Sequence, residues 1–98
     1  MNEFKAYLIA SDGSRQVLEG AMTVGRSSNC DVFIDEPRIS RNHAEIRTEG
    51  HKVTLEDLGS VNGTKVNGDP LTSVRELCDG DQVAFDKISF TVEISNPA

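Results

Sequence analysis

Between Gly25 and Gly68 the chain carries three mainly polar islands: Gly25-Arg26, Ser40-Arg41-Asn42-His43, and Ser60-Val61-Asn62-Gly63-Thr64-Lys65-Val66-Asn67-Gly68. A serine hydroxyl beside an arginine fork is what a phosphate dianion requires. The planar guanidinium donates parallel charge-assisted N–H bonds, and the hydroxyl adds a donor from another direction. Ser40-Arg41 supplies such a pair, and Arg26 offers a second guanidinium if the fold gathers the islands. Alone, Gly25-Arg26 reads as a solvated charge.

A second chemistry uses the same residues. Ser40, His43 and Asp57 have the residue types of a nucleophilic triad. No Gly-x-Ser-x-Gly elbow surrounds Ser40, and a separation of three on a strand turns Ser40 and His43 to opposite faces. The hydrolase reading therefore fails on geometry, and His43 reads as a structural histidine whose ring bonds to neighbouring loop backbone. Asn62-Gly63-Thr64 matches the glycosylation triplet, which has no consequence without a secretory signal.

Cys30 and Cys78 stand far apart with no CxxC spacing and read as small buried hydrophobes. A zinc site would have to recruit His43 and His51 from unrelated segments, so neither metal nor disulfide is expected. The net charge of −6 argues against nucleic-acid binding, which is built from clustered Lys and Arg. From Gly25 to Gly68 there are six basic and seven acidic residues, against four basic and nine acidic elsewhere. A nearly balanced middle in an acidic body suits one small anion better than a polyanion.

The elements that must position these residues are short strands. A chain of 98 residues forms one domain that buries roughly 60–70% of its unfolded surface. Period-two alternation marks strands near Phe4–Ala10, Arg15–Leu18, Met22–Val24, Val32–Ile34, Ala44–Arg47, Val53–Glu56, Thr64–Val66, Val83–Phe85 and Ile88–Ile94. Ser11-Asp12-Gly13-Ser14, Asn62-Gly63, Asn67-Gly68 and Asp79-Gly80-Asp81 supply turns. Leu71, Val74 and Leu77 fit either a helical turn or an irregular ribbon. With no sustained 3.6 period, the fold expected is an all-β sandwich. No apolar run approaches the ~20 residues of a membrane span, and Met1–Lys5 lacks a signal-peptide pattern, so a cytoplasmic domain without membrane contact is expected.

In order and with similar spacing, Gly25-Arg26, Ser40-Arg41-Asn42-His43-Ala44-Glu45-Ile46 and the run from Asp57 to Gly68 resemble the forkhead-associated (FHA) domain pattern. Leu77-Cys78-Asp79-Gly80-Asp81-Gln82-Val83 extends the likeness, which covers the chain from about Tyr7 to Ile94. The resemblance implies an eleven-stranded antiparallel β-sandwich of two sheets, with loops at one end that bind a phosphothreonine peptide. It implies that Arg26, Ser40 and Arg41 contact the phosphate and that Asn62 bonds the peptide backbone. Gly25, His43, Ser60, Gly63 and Asn67 would support the loops. Arg38, Ile39, Val61 and Lys65 lie where the family reads residues beyond the phosphothreonine. Val61 departs from members with a threonine or other polar residue there, and a valine can pack on the threonine methyl.

The reading is thus of a non-catalytic signalling adaptor without cofactor, monomeric as an isolated domain, whose partner carries a phosphothreonine placed by a Ser/Thr kinase. Residues 1–98 are expected to form a single FHA domain with its core at about 4–95, with 96–98 as a frayed end or the start of a linker. The alternative is a phosphate-independent interaction or oligomerisation domain on the same fold.

Overall fold

A computed structural model describes residues 4–95. The frayed end expected at 96–98 lies outside the described residues. Eleven strands follow in order: β1 (Lys5–Ala10), β2 (Arg15–Val17), β3 (Gly20–Gly25), β4 (Val32–Phe33), β5 (Ala44–Glu49), β6 (Lys52–Asp57), β7 (Thr64–Val66), β8 (Asp69–Pro70), β9 (Arg75–Leu77), β10 (Gln82–Phe85) and β11 (Ile88–Ser95). They form a six-stranded sheet, β2-β1-β11-β10-β7-β8, and a five-stranded sheet, β4-β3-β5-β6-β9. The sandwich expected from the sequence is therefore the one observed.

Alternation along the strands builds the core between the sheets. Leu8, Val24, Ile46, Leu55, Val66, Val83, Phe85 and Val92 are fully buried, while most of their neighbours in sequence are half-buried or exposed. Each such side chain contributes roughly 1.5–3 kcal/mol by leaving water. The register β5–β6, Ala44↔Asp57 to Glu49↔Lys52, brings the start of β5 beside the end of β6. Val24↔Ala44 adds the end of β3, and the segments following β3 and β6 and preceding β5 thereby share one end of the sandwich.

One pairing runs against the antiparallel rule. β3 and β4 are parallel over Val24↔Val32 and Gly25↔Phe33, because the chain leaves β3, loops and returns alongside it in the same direction. Asp31 satisfies the Thr23 N–H at 3.0 Å within that loop.

Of the segment around Leu71, Val74 and Leu77, residues 71–74 run as irregular ribbon and Arg75–Leu77 form a strand, with no helical turn. β9 pairs with β6 as Val53↔Leu77 and Leu55↔Arg75, and Leu77 enters the core while Val74 stays 56% exposed. The three-residue spacing resembled a helix, but the open edge of β6 offered backbone partners. Pro70 lies on β8 at the edge of its sheet, where a missing N–H costs no ladder bond. Cys30 is buried as expected, whereas Cys78 is exposed beside the β9–β10 turn.

Candidate functional site

Three loops meet at the shared end: 26–31 after β3, 34–43 before β5, and 58–63 between β6 and β7. Gly25 sets the first against the second. A Cβ there would collide with the Arg41 carbonyl oxygen and lie 3.0 Å from the Cys30 sulfur, so only glycine permits the approach. The closeness is used: Cys30 Sγ donates to the Arg41 carbonyl at 3.1 Å, and Ser27 N–H donates to the same oxygen at 3.2 Å. Burial pushes the Cys30 thiol above its ordinary pKa, which keeps it a donor.

His43 joins the second loop to the third. Its ring is fully buried and meets Phe85 edge-on at 5.7 Å. Ser40 N–H donates to Nδ1 at 3.1 Å, and Nε2 lies 2.9 Å from the Gly63 carbonyl. Accepting at Nδ1 places the proton on Nε2, which donates to Gly63. Both ring nitrogens are thus engaged by backbone and neither reaches the Ser40 hydroxyl. Ser40 and His43 also precede β5 rather than occupying a strand. The strand argument against a triad is replaced by a turn in which the ring is already committed.

Asp57, seen in the sequence only as a possible triad member and part of the motif, organises the third loop. One carboxylate oxygen accepts from Ser60 Oγ at 2.6 Å and Thr64 Oγ1 at 2.7 Å, and the other accepts from the Gly59 and Ser60 N–H groups at 3.0 Å each. Burial alone would raise this carboxyl, but the Ser60 and Thr64 hydroxyls with the two N–H groups hold it below its ordinary value. Asp followed by Gly at +2 and Ser at +3 is the local turn signal that could have singled it out. Ser60 Oγ accepts in turn from Gly63 N–H at 3.0 Å, and Gly63 holds φ 85°, so both support the loop.

On this frame stand the donors. Arg26 N–H reaches the Ser40 carbonyl and Arg26 Nε the Ile39 carbonyl, each at 3.0 Å, and its Nη groups have no hydrogen-bond partner among the described residues. Ser40 Oγ accepts from Val61 N–H at 3.0 Å and keeps its own proton to donate. Arg15, Arg38 and Arg47 pair with Glu93, Asp86 and Glu45, whereas Arg26 and Arg41 pair with no carboxylate among the described residues. Arg26, Arg41 and the Ser40 hydroxyl thus bring to neighbouring loops the donor types that an anion takes.

Val61 is 87% exposed with its N–H on the Ser40 hydroxyl, so its side chain stands beside that surface. Asn62 Nδ2 donates to the Arg38 carbonyl at 2.7 Å. Lys65 is exposed on β7, next to the inward Thr64. Ile39 departs from expectation: it is 1% exposed in the core, so its side chain reads no peptide and only its carbonyl serves the site, through Arg26. Asn67 also has a different place. At φ 52° it ties the β7–β8 turn to Asp81 and Gln82, beyond the end of β7 remote from Gly63.

Clefts of about 300, 240 and 280 Å3 are lined by none of Arg26, Ser40, Arg41, Val61 and Asn62, although Asp57 at the end of β6 and Gly59 of the third loop border the second of them. Among the described residues no group of His, Cys, Asp and Glu is placed to hold a metal ion, and no helix is long and apolar enough to cross a membrane.

The FHA domain pattern matches residues 22–86, which is most of the sandwich and all three loops. The chain belongs to the FHA domain family. The glycogen accumulation regulator GarA of Mycobacterium tuberculosis is 43% identical over 76 residues, covering 76% of this chain and 46% of that protein. The oxoglutarate dehydrogenase inhibitor of Corynebacterium efficiens is 37% identical over 87 residues, covering 88% of this chain and 60% of its own. This FHA domain thus spans about half the length of these relatives. Mycobacterium tuberculosis EmbR, solved in complex with a low-affinity phosphopeptide, superposes with TM-score 0.89 at 32% identity over 96% of this chain and 25% of that one. An FHA domain solved in a study of phosphothreonine-dependent interactions superposes with TM-score 0.87 at 32% identity over 96% and 99%. GarA and the oxoglutarate dehydrogenase inhibitor are regulatory proteins by name, and the FHA domain is a binding module rather than an enzyme.

Proposed function

We propose that this FHA domain binds a phosphothreonine-bearing segment of a partner protein and acts as a non-catalytic adaptor. The observation that carries the reading is that Arg26 and Arg41, on the loops that meet at Ser40, pair with no carboxylate among the described residues, while the Ser40 hydroxyl accepts from Val61 N–H and retains a proton to donate. Arg26 and Ser40 hold the phosphate, Arg41 adds a contact to phosphate or peptide backbone, Val61 packs against the threonine methyl and Asn62 bonds the peptide backbone. Lys65 stands on the flank of the peptide. EmbR, which was solved with a phosphopeptide, supports this reading as a structural relative.

A phosphate carries about −1.5 to −2 charges at neutral pH, and each charge-assisted bond contributes roughly 1.5–3 kcal/mol net. Three bonds then supply about 5–9 kcal/mol before the cost of association, whereas a Kd near 1 μM needs about 8. Flanking contacts must supply the remainder, and the interaction is modest and reversible. The domain acts as a monomer in the cytoplasm, on a protein modified by a Ser/Thr kinase.

Titration of matched phosphothreonine, phosphoserine and unphosphorylated peptides against wild type and Arg26→Ala tests the reading. Phosphothreonine-dependent binding lost in the variant is expected; equal binding of all three peptides contradicts it. Phosphate-independent assembly has one feature in its favour, Phe33, which is 52% exposed beside a cleft lined by Leu8, Val32 and Phe90. A concentration-dependent dimer that survives Ser40→Ala would support that reading.

A further inference from the structure

Arg38 stands on the loop before β5 as an exposed cation, yet its guanidinium is already engaged. Its Nε meets Asp86 Oδ2 at 2.9 Å and its Nη2 meets Asp86 Oδ1 at 3.4 Å, a two-point pairing. The same Nη2 reaches Asn62 Oδ1 at 3.4 Å, while Asn62 Nδ2 donates to the Arg38 carbonyl at 2.7 Å. One residue therefore holds the Asn62 carboxamide at both its oxygen and its nitrogen.

A carboxamide has two N–H donors and two acceptor lone pairs. With one of each given to Arg38, one donor and one acceptor remain, in a fixed orientation. A donor and an acceptor side by side match the C=O and N–H of an extended peptide backbone, and they read no side chain. Asp86 is built to hold this arrangement. It occupies the β10–β11 turn at φ 55°, its N–H donates to the Gly63 carbonyl at 3.1 Å, and its side chain is 13% exposed beneath an Arg38 side chain that is 61% exposed.

Resting on the phosphothreonine reading, we propose that Asp86 sets the flank specificity of the site by retaining Arg38 as the brace of Asn62. The guanidinium is thereby withheld from acidic side chains of the partner. A carboxylate approaching Arg38 would have to share it with Asp86 at a few ångströms, where like charges repel. Arg38 is a positioning residue, and Asp86 is the specificity determinant.

The test uses one phosphothreonine peptide series carrying Asp, Ala or Lys in turn at each flanking position, titrated against wild type, Arg38→Ala, Asp86→Asn and Asp86→Gly. Asn and Gly both tolerate the positive φ, so the turn is kept while the charge is removed. Wild type is expected to bind acidic and neutral flanks alike. Arg38→Ala is expected to weaken every phosphopeptide by a similar factor of about ten. Both Asp86 variants are expected to gain a preference of about three- to tenfold for an acidic flank, because the guanidinium is set free. A wild type that already prefers an acidic flank, with Arg38→Ala erasing only that preference, would overturn the inference and leave phosphate-dependent binding standing. Binding by wild type that ignores phosphorylation would remove the phosphothreonine reading and the inference with it.

Discussion

The Nε2 of His43 donates to the carbonyl oxygen of Gly63 at 2.9 Å across twenty residues of sequence, and this one buried bond ties the Ser40 loop to the Asn62 loop. The opposite ring nitrogen accepts from Ser40 N–H. Together the two bonds hold the proposed phosphate and peptide contacts at one spacing.

Replacing His43 by Ala should therefore cost both stability and binding. The variant leaves the Ser40 N–H and Gly63 carbonyl without partners and opens a cavity beside Phe85, for a loss of about 3 kcal/mol. For a domain of this size the melting temperature should fall by roughly 12–24 °C. A melting curve like that of the wild type would show that the ring is not the joint.

Gly25→Ala should act through the neighbouring loop. The new methyl displaces the Arg41 carbonyl and with it the Ser27 and Cys30 bonds, at a cost of about 1–3 kcal/mol. Phosphopeptide affinity should fall together with the melting temperature, whereas Gly13→Ala, in open space and distant in sequence from the loops, should leave affinity intact. Calorimetry of the two variants decides the matter.

Acid should unlock the third loop. The Asp57 carboxyl is held below its ordinary value of 3.8 in the folded protein, so its contribution is fully present above that value and is lost as pH falls through the lower, folded one. The melting temperature should stay level in mild acid and drop below about pH 4. Asp57→Asn should start lower and drop less steeply over that range. Parallel curves for the two proteins would rule Asp57 out as the acid-sensitive group.

Binding should follow the ionisation of the ligand as well. The phosphate loses its second charge below its pKa near about 6, so affinity should weaken severalfold between about pH 7.5 and pH 5.5 while the fold stays intact. Affinity unchanged across that range would argue against a dianion held by Arg26 and Arg41.

These features were unequally legible in the sequence. Strand alternation gave the core because burial on one face forces a period of two, as in Val53 and Leu55, and the ordered islands gave the loops. The β3–β4 parallel pair was hidden, since two residues of pairing leave no periodic trace. Ile39 was set among the peptide-reading positions by the family resemblance, yet the loop folds its side chain into the core. Asp86 escaped notice because its link to Arg38 spans forty-eight residues, a distance that no local spacing encodes.

The central claim is that the loops carrying Arg26, Ser40, Arg41, Val61 and Asn62 bind phosphothreonine, and amide shift mapping tests it most directly. Adding a phosphothreonine peptide to the labelled domain should move the resonances of these residues, and the same peptide after phosphatase treatment should move none of them. Equal shifts with both peptides, or shifts confined to Val17, Phe33 and Phe90, would contradict it.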